Sequence, residues 1–364
     1  MMPGLGHRSQ SRWGGSVRVS VVFAVLAASC ATLANGHAGL DDPPSARVGP
    51  FRLLKPGEIG ANHPAPDAIN DSQRFLRDPS VVHAPAGGFA VTAFFAGVAN
   101  GAAPTDPTDR IVAYDAVDGR SFPGLGVEVL VSAQPWEGGH VGAPSAVVVG
   151  GETWLYYEGS GGIGLAKPKG DGTFTSTPEP VWTAAGVAWA EGAIARSPGV
   201  AVLPDGSFRM FYEVEVGGVR MVGEARSSDG ASWEPVGEGP AIASGGAGSP
   251  DERGAGSPSP VLATSSEGRE ILDVYYTADG ASGAAVALAA RYVDAGDDDA
   301  PLERSPSLML VPSKTLAVRE PCVVRFDTFT LLFATENASK TSTDPVVVVG
   351  LAPATEALPP ADPR

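Results

Sequence analysis

The stretch of sequence that decides the fold is Arg77-Asp78-Pro79-Ser80-Val81-Val82. It combines charged residues, a proline, a small residue and an apolar run, and a glycine turn then leads to a second strand-like segment with Phe94-Phe95. The pattern occurs four more times, as Gly142-Ala143-Pro144-Ser145-Ala146-Val147, Arg196-Ser197-Pro198-Gly199-Val200, Gly256-Ser257-Pro258-Ser259-Pro260-Val261 and Arg319-Glu320-Pro321-Cys322-Val323-Val324. Internal repetition of this kind indicates a molecule built from stacked copies of one unit.

The spacing of the repeat predicts the architecture. The anchoring prolines are 65, 54, 60 and 63 residues apart, and the segments between them alternate apolar and polar residues with a period of two. Each copy therefore predicts three or four short antiparallel strands. Such a unit cannot bury both of its faces alone, so the units must stack, and in a ring they close into a propeller. The sequence predicts an all-β protein, a five-bladed β-propeller of antiparallel blades.

Composition excludes several classes of function. The chain has 364 residues and a formal net charge of −16, and it contains no run of basic residues. Nucleic-acid binding is therefore not expected, because neutralising phosphates requires clustered Lys and Arg. Two cysteines, Cys30 and Cys322, are too few for a disulfide scaffold or a four-cysteine zinc site.

The N-terminus predicts export. His7, Arg8, Arg12 and Arg18 precede an apolar stretch of about ten residues that begins at Val19, which is the pattern of a secretory signal peptide. Leu26-Ala27-Ala28-Ser29-Cys30 resembles the bacterial lipobox, although its leucine stands four places before the cysteine instead of the usual three. We expect Cys30 to carry lipid. The alternatives are a plain signal peptide that is cut nearby, for instance after Ala38, and an uncleaved anchor.

The composition also suggests boundaries for the domains. Residues 1–29 are predicted to be a lipoprotein-type signal peptide and residues 30–66, rich in Ala, Gly, Pro and Asp, a flexible linker. The propeller is expected over residues 67–355, followed by a tail at 356–364. We expect a monomer outside the cytoplasm, held at a membrane by lipid on Cys30, or secreted if Cys30 is not lipidated.

The motifs resemble those of a known superfamily. "RDPSV" at the start of the first copy, "VGAPSAVVVGGETWLYYEG" in the second and "SPGVAVLPDGSFRMFYE" in the third are similar to the five-bladed propeller glycoside hydrolases. These comprise the arabinanases and β-xylosidases, the invertases and the levansucrases. The resemblance implies a glycan as the partner and two carboxyl groups that flank a glycosidic bond.

The resemblance also assigns residues, and part of the expected set is missing. The family places a base aspartate in the first motif, a modulating aspartate in the second and an acid glutamate in the third. Asp78 matches the first position, Ser145 stands where the second carboxylate is expected, and the third motif has Arg196-Ser197. Glu320 occupies in the fifth copy the position of Asp78, so the two are a candidate catalytic pair. The alternative is that each pairs with its own arginine, Arg77 or Arg319, which would lower the pKa of the carboxyl.

A second set of candidates lies in the loops before the motifs. Glu191 is a candidate replacement for the missing acid, and Trp136 and Trp189 could stack on sugar rings. His140, Arg77, Arg196 and Arg319 complete the predicted substrate-binding set. The alternative is that the loop residues Trp136, Trp189 and Glu191 are turn residues of the repeat that pack one blade on the next.

Two hypotheses about function follow. The first is an exported carbohydrate-active protein that binds a glycan in the central funnel, with hydrolysis of that glycan left open. The second is a non-catalytic propeller, a binding or envelope-structure protein that has lost its acid/base residues. No cofactor is expected. The acidic run Asp294–Asp299 lacks the spacing of an EF-hand and is typical of a solvated loop, with casual binding of a structural calcium ion as the alternative.

Overall fold

The computed structural model describes residues 49–352 except for 60–68, 70, 72–73, 86, 99–102, 104–105, 123, 266–267, 294–298, 313–316 and 338–343. The predicted signal peptide, Cys30, much of the predicted linker and the tail therefore lie outside the described residues. The described chain begins with a two-residue strand, β1 (Arg52–Leu53), and a single helical turn, α1 (Pro56–Ile59). No helix in the described part of the chain is long and apolar enough to cross a membrane.

The rest of the described chain forms five antiparallel blades that follow one another in sequence, as the repeat predicted. Each blade begins with a motif strand, which is its innermost strand. Blade 1 contains β2 (Leu76–His83), β3 (Val91–Gly97), β4 (Arg110–Ala116) and β5 (Val127–Val131). Blade 2 contains β6 (Gly142–Val149), β7 (Glu152–Gly159), β8 (Gly162–Pro168) and β9 (Phe174–Ser176).

The later blades repeat this order. Blade 3 contains β10 (Arg196–Val202), β11 (Phe208–Val216), β12 (Val219–Ser227) and β13 (Glu234–Pro235). Blade 4 contains β14 (Gly254–Thr264), β15 (Glu270–Gly280), β16 (Gly283–Tyr292) and β17 (Glu303–Arg304). A parallel bridge between Arg220 and Gly254 joins blades 3 and 4. Blade 5 contains β18 (Val318–Arg325), β19 (Thr330–Asn337) and β20 (Pro345–Ala352).

The ring is closed by the first strand of the described chain. Strand β1 pairs antiparallel with β20, Arg52 opposite Leu351, and so supplies the fourth strand of blade 5. Phe51, just before β1, is buried and lies edge-on to Tyr275 of blade 4 at 6.1 Å. The flexible linker predicted for residues 30–66 therefore does not extend over residues 49–59. Two strand residues are too few to give a periodic signal, so the sequence could not reveal this closure.

The hydrophobic core lies between blades. Five clusters of buried side chains each join a neighbouring pair: blades 1 and 5, 1 and 2, 2 and 3, 3 and 4, and 4 and 5. Aromatic side chains dominate several of these interfaces, for example Phe95, Phe122 and Phe333 between blades 1 and 5. Each blade thus buries its faces only against its neighbours, which is the physical reason the repeat must close into a ring.

Candidate functional site

The five motifs meet at the propeller axis through the same backbone irregularity. In every blade the pairing between the first and second strands shifts register at the motif proline, so a β-bulge forms there. The residue before each proline has a positive φ, between 40° and 58°, and these residues are Asp78, Ala143, Ser197, Ser257 and Glu320. A left-handed conformation is unfavourable for residues with a side chain. Its recurrence in five blades marks a feature of the repeat.

These five residues and their prolines line one cavity on the axis. Its volume is about 30 Å³, which is enough for one or two water molecules. The cavity opens to solvent, so a glycan would approach this ring of ten residues from the mouth of the funnel.

Side chains from the second strands hold the bulges in place from blade to blade. In four of the five junctions, the backbone N–H of the residue before the proline donates a hydrogen bond to a second-strand side chain of the preceding blade. The pairs are Ser197 to Glu158 (2.8 Å), Ser257 to Glu213 (2.9 Å), Glu320 to Thr277 (2.9 Å) and Asp78 to Thr335 (3.2 Å). At the fifth junction the corresponding residue of blade 1 is Ala96, whose side chain cannot accept a hydrogen bond from Ala143.

A second layer of hydrogen bonds lies further along each inner strand. Ser80 accepts the N–H of Ala146 (2.8 Å), and Ser145 accepts that of Val200 (3.0 Å). Ser145, which stands where the family resemblance expected a carboxylate, is thus part of the interface between blades 2 and 3.

The same layer contains Cys322, which accepts the N–H of Val81 through its Sγ (3.1 Å). Burial raises the pKa of this thiol to about 11. Between blades 3 and 4 the layer lacks both partners at once: Gly199 has no side chain to accept a hydrogen bond, and Pro260 has no N–H to donate one. A Cβ at position 199 would lie 2.2 Å from the Pro258 carbonyl oxygen and 2.6 Å from Cδ of Pro260.

Asp78 and Glu320 come together at the junction of blades 1 and 5, as the sequence predicted. The N–H of Asp78 donates to Oε2 of Glu320 at 3.2 Å. Burial, followed by the charges of Glu320 and Glu158, raises the pKa of Asp78 well above its ordinary value. Arg77, whose Nε lies 3.9 Å from the Asp78 carboxylate, acts to lower this pKa as expected, but it does not offset the effects of burial and of the neighbouring carboxylates.

The pKa of Glu158 is shifted in the opposite direction from that of Asp78. Its burial alone would raise the pKa, but the hydrogen bond and charge of His140, the N–H of Ser197 and the charge of Arg196 outweigh burial and lower the pKa of Glu158. His140 Nε2 lies 2.8 Å from Glu158 Oε1, and His140 Nδ1 lies 2.8 Å from the carbonyl oxygen of Thr108. The Thr108 hydroxyl also lies 3.3 Å from His140 Nδ1. Burial opposes the charged form of His140, but the hydrogen bond and charge of Glu158 outweigh burial and raise the pKa of His140.

The opposite side of the mouth is an ion-pair network. Glu213 accepts from Arg220 Nη1 at 3.0 Å, and Arg220 also pairs with Asp279. Asp279 in turn contacts Arg319 Nη1 at 3.0 Å. Burial raises the pKa of Glu213 even though Arg220 opposes the shift. Arg319, predicted as a substrate-binding residue, is thus engaged with Asp279.

The predicted loop candidates do not lie in the ring. Trp136 stacks on Tyr157 at 5.8 Å, and the neighbouring Glu137 is fully buried. Glu137 accepts hydrogen bonds from the Tyr157 hydroxyl (2.6 Å) and from the N–H groups of Ala133 and Gln134 (2.6 and 2.7 Å). Trp136 also packs against the buried cluster between blades 1 and 2, so in this loop the structure supports the alternative interpretation, in which turn residues pack one blade on the next.

The equivalent loop of blade 3 places no acidic side chain in the axial ring either. Trp189 packs against the core between blades 2 and 3, and Glu191 is exposed, with φ at 51°, at the end of a short 3-10 turn. Neither residue lines the axial cavity. Glu191 therefore does not stand opposite Asp78, and its proposed role as the replacement acid loses its geometric basis.

Glu158 and Glu213 are site residues that the motifs did not predict. Each follows the aromatic pair at the end of a second strand, Tyr156-Tyr157 in blade 2 and Phe211-Tyr212 in blade 3, and this recurrence of "YE" was the available signal. The sequence placed the site only in the motif strands and in the loops before them. Among the described residues, no group of three or more His, Cys, Asp or Glu side chains is arranged to hold a metal ion. Within the acidic run, only Asp299 is described, and it contacts Arg209 and Arg226 at 3.1 Å.

Comparison with solved structures identifies the fold. The RGII complex of BT0996 has a TM-score of 0.60 at 16% identity, covering 82% of this protein and 94% of that one. A glycosyl hydrolase from Bacteroides ovatus has a TM-score of 0.60 at 14% identity, covering 86% and 96%. A thermostable family-43 glycoside hydrolase has a TM-score of 0.57 at 13% identity, covering 80% and 97%.

These likenesses confirm at the level of fold the resemblance that the motifs predicted. No family model matches the chain. The search of curated proteins gives no match either.

Proposed function

We propose that this protein, which has the fold of the five-bladed glycoside hydrolases, binds a glycan at the mouth of its funnel without hydrolysing it through the Asp78/Glu320 pair. The observation that carries the proposal is the close approach of Glu320 to Asp78, whose backbone N–H donates to Glu320 Oε2 at 3.2 Å. Glycosidases need carboxyl groups about 5–5.5 Å apart for retention and about 6.5–9.5 Å apart for inversion, with the sugar between them. A Glu320 carboxylate bound to the Asp78 backbone leaves no room for a sugar between the two side chains.

The other ring positions support this proposal. Ala143 and Ser197 stand before the prolines of blades 2 and 3, so neither places a carboxylate at the axis. The mouth nevertheless keeps charged and hydrogen-bonding side chains, including Arg77, His140 and Arg196, which suit the hydroxyl and acidic groups of a sugar. Polar side chains at the mouth together with missing carboxylates at the axis favour binding of a glycan without its cleavage.

The test measures binding and cleavage on the same glycans. Titration calorimetry and reducing-sugar release would be run on arabinans, xylans, fructans and uronic-acid polymers, with the full chain and with Asp78→Ala. We expect heat of binding from at least one polymer and no release of reducing ends. Release by the wild type that is absent from Asp78→Ala would contradict the proposal, and so would the absence of binding to every polymer.

A second candidate function is hydrolysis by carboxyl groups other than the expected set. It is favoured by one observation: Asp78 and Glu158, in adjacent blades, have their pKa values moved in opposite directions, which is how glycosidases prepare an acid and a base. This candidate requires reducing-sugar release that is lost in both Asp78→Asn and Glu158→Gln. Release that survives either change would reject it.

We also propose that the protein is exported and carries lipid on Cys30, on the support of the N-terminal sequence pattern. The test is metabolic labelling with a fatty acid in a bacterium that processes lipoproteins, followed by mass analysis of the mature N-terminus. Cys30→Ser should lose the label, whereas Cys322→Ser should keep it, because Cys322 is buried. A mature protein that begins elsewhere and carries no label would reject the lipid anchor.

A further inference from the structure

The propeller has a large cavity at its base, the end of the axis opposite the mouth of the funnel. Its volume is about 560 Å³, which lies within the range of pockets that enclose a small ligand, about 300–1,000 Å³. Every inner strand contributes apolar side chains to its wall, and these include Val81, Val148, Val202, Leu262 and Val324. We name this space the base cavity.

The wall of the base cavity leaves apolar side chains in contact with water. Val148 is 49% exposed, although valine is a residue type that is most often buried. The wall also contains His83 and Arg325, and both have partners within the fold. His83 Nε2 lies 2.8 Å from the Arg325 carbonyl oxygen, and Arg325 Nη2 donates to Asp273 at 2.6 Å. The base cavity therefore favours an apolar occupant.

The base cavity adjoins a smaller cavity further along the axis. That cavity has a volume of about 80 Å³, and its wall includes Ser145 and Cys322 of the second hydrogen-bonded layer. Val81 and Val323 line both cavities. An occupant of the base cavity would therefore close the axis at the end opposite the mouth.

Strand β20 ends beside the base cavity. Its last residue, Ala352, stands opposite Thr330 of β19, and Thr330 stands opposite Arg325 of β18. Arg325 lines the base cavity, and neighbouring strands are about 4.8 Å apart, so the chain leaves β20 about 10 Å from the cavity wall. The segment before β1 enters one strand further out, because β1 pairs with β20 on the side away from β19.

The residues that follow β20 have the composition of such an occupant. Residues 353–364 lie outside the described residues, and their sequence is PATEALPPADPR, with Leu358-Pro359-Pro360 at its centre. A chain of six residues spans up to about 20 Å, which is enough to bring Leu358 from the end of β20 past the wall and into the base cavity. Proline-rich segments have few backbone conformations, so they lose little conformational entropy when they dock in an apolar groove.

We propose that residues 353–364 fold back over the base of the propeller and place Leu358-Pro359-Pro360 in the base cavity. The segment then covers the apolar wall, including Val148, and closes the axis at this end. This inference is independent of the proposed glycan binding, which concerns the opposite end of the axis.

The test is the formation of a disulfide within the full chain. One variant combines Val148→Cys with Leu358→Cys, which can form the bond only if the two side chains meet in the base cavity. Both this variant and its control also carry Cys30→Ser. The remaining cysteine, Cys322, is buried and has a raised pKa, so it is not expected to react.

The matched control combines Thr328→Cys with Leu358→Cys. Thr328 is exposed in the turn between β18 and β19 and does not line the base cavity. It is two residues from Thr330, the partner of Ala352, so a segment that moved freely would meet it readily. Thermal unfolding of both reduced variants, compared with the parent chain, shows that each is folded.

We expect the Val148 variant to form its disulfide at least about tenfold faster than the Thr328 variant, because docking raises the effective concentration of the two thiols. This rate should not depend on protein concentration. Equal rates in the two variants, or a faster reaction at Thr328, would overturn the proposal. Disulfides between chains that increase with protein concentration would assign the base cavity to a second copy of the chain and would overturn it as well.

Discussion

Asp78 is held in place by the backbone and by its neighbours at the same time. Its left-handed conformation, with φ at 53°, sets the side chain on the axis, and its N–H is bound by Glu320 and Thr335. Its carboxyl is therefore held close to Glu320, in buried surroundings that disfavour a negative charge on Asp78. The physical consequence is that the folded protein retains the Asp78 proton at a pH where the unfolded chain has released it.

This proton makes stability depend on pH in a defined direction. The pKa of Asp78 is raised in the folded state, so its contribution to stability is complete below the unfolded pKa, about 3.9. That contribution is lost as pH rises toward the raised pKa, at a slope of at most about 1.4 kcal/mol per pH unit. Asp78→Asn keeps a hydrogen-bond donor toward Glu320, tolerates the left-handed backbone and removes the titration.

We therefore expect the midpoint of thermal unfolding of Asp78→Asn, relative to wild type, to rise as pH increases above about 4. The control is Asp327→Asn, at an exposed aspartate, whose difference from wild type should show no such trend. A difference between Asp78→Asn and wild type that stays constant with pH would mean that Asp78 ionises normally in the folded protein.

At the scale of single residues, the sequence identified which residues lie at the axis but not how their pKa values are shifted. The motif proline located Asp78 and Glu320 correctly, because equivalent positions of a closed ring must face one axis. The direction of the pKa shift of Asp78 could not be predicted, because it depends on burial and on Glu158, whose strand lies in another blade. His140 was a candidate from its loop position alone, and the raising of its pKa against the effect of burial follows only from Glu158, which folds against it.

At the scale of elements, the conformation of the loop before a motif strand determines whether the glutamate in that loop is buried and hydrogen-bonded or exposed to solvent. Glu137 and Glu191 both stand seven residues before a motif proline. Glu137 ends a short 3-10 turn that points it inward onto Tyr157. In blade 3 the corresponding turn ends at Ala190, one residue earlier, and leaves Glu191 exposed. Equal spacing in sequence thus gave two different environments, which is why the spacing did not predict the outcome.

This contrast provides a matched pair of substitutions. Glu137→Ala removes the acceptor of three hydrogen bonds from a fully buried position and should destabilise the protein by about 3 kcal/mol or more. Glu191→Ala changes an exposed residue and should shift stability by no more than about 0.5 kcal/mol. Urea unfolding followed by tryptophan fluorescence measures both. Similar unfolding midpoints for the two variants would contradict the assigned role of Glu137.

At the scale of the whole molecule, the propeller depends on a closure between distant parts of the chain. Blade 5 takes three strands from residues 318–352 and its fourth, β1, from Arg52–Leu53. The sequence predicted five units from five motifs, and this held because each motif lies in an inner strand with a strong apolar pattern. It did not predict β1, which is held by pairing with β20 and by the side chain of Phe51 and not by a pattern of its own.

The closure can be tested with a single side chain. Phe51 is buried against Tyr275 and Gly350, so Phe51→Ala should cost about 3–5 kcal/mol of stability. Val127→Ala, at a strand residue of blade 1 that is 62% exposed, is the control and should change stability by about 0.5 kcal/mol or less. The measurement is the free energy of urea unfolding. If Phe51→Ala were as stable as the control, β1 would contribute little to closing the ring.

At the junction of blades 3 and 4, Gly199 lacks a side chain and Pro260 lacks an N–H. These two missing groups limit how the sequence of this ring can change during evolution. A serine introduced at position 199 would collide with the Pro258 carbonyl and the Pro260 ring. Replacing Pro260 alone would expose an N–H with no side chain at Gly199 to accept it. Replacing both residues would remove the contact with the Pro260 ring but would leave the new side chain against the Pro258 carbonyl. A return to the arrangement of the other junctions therefore requires both substitutions and a shift of the backbone at Pro258.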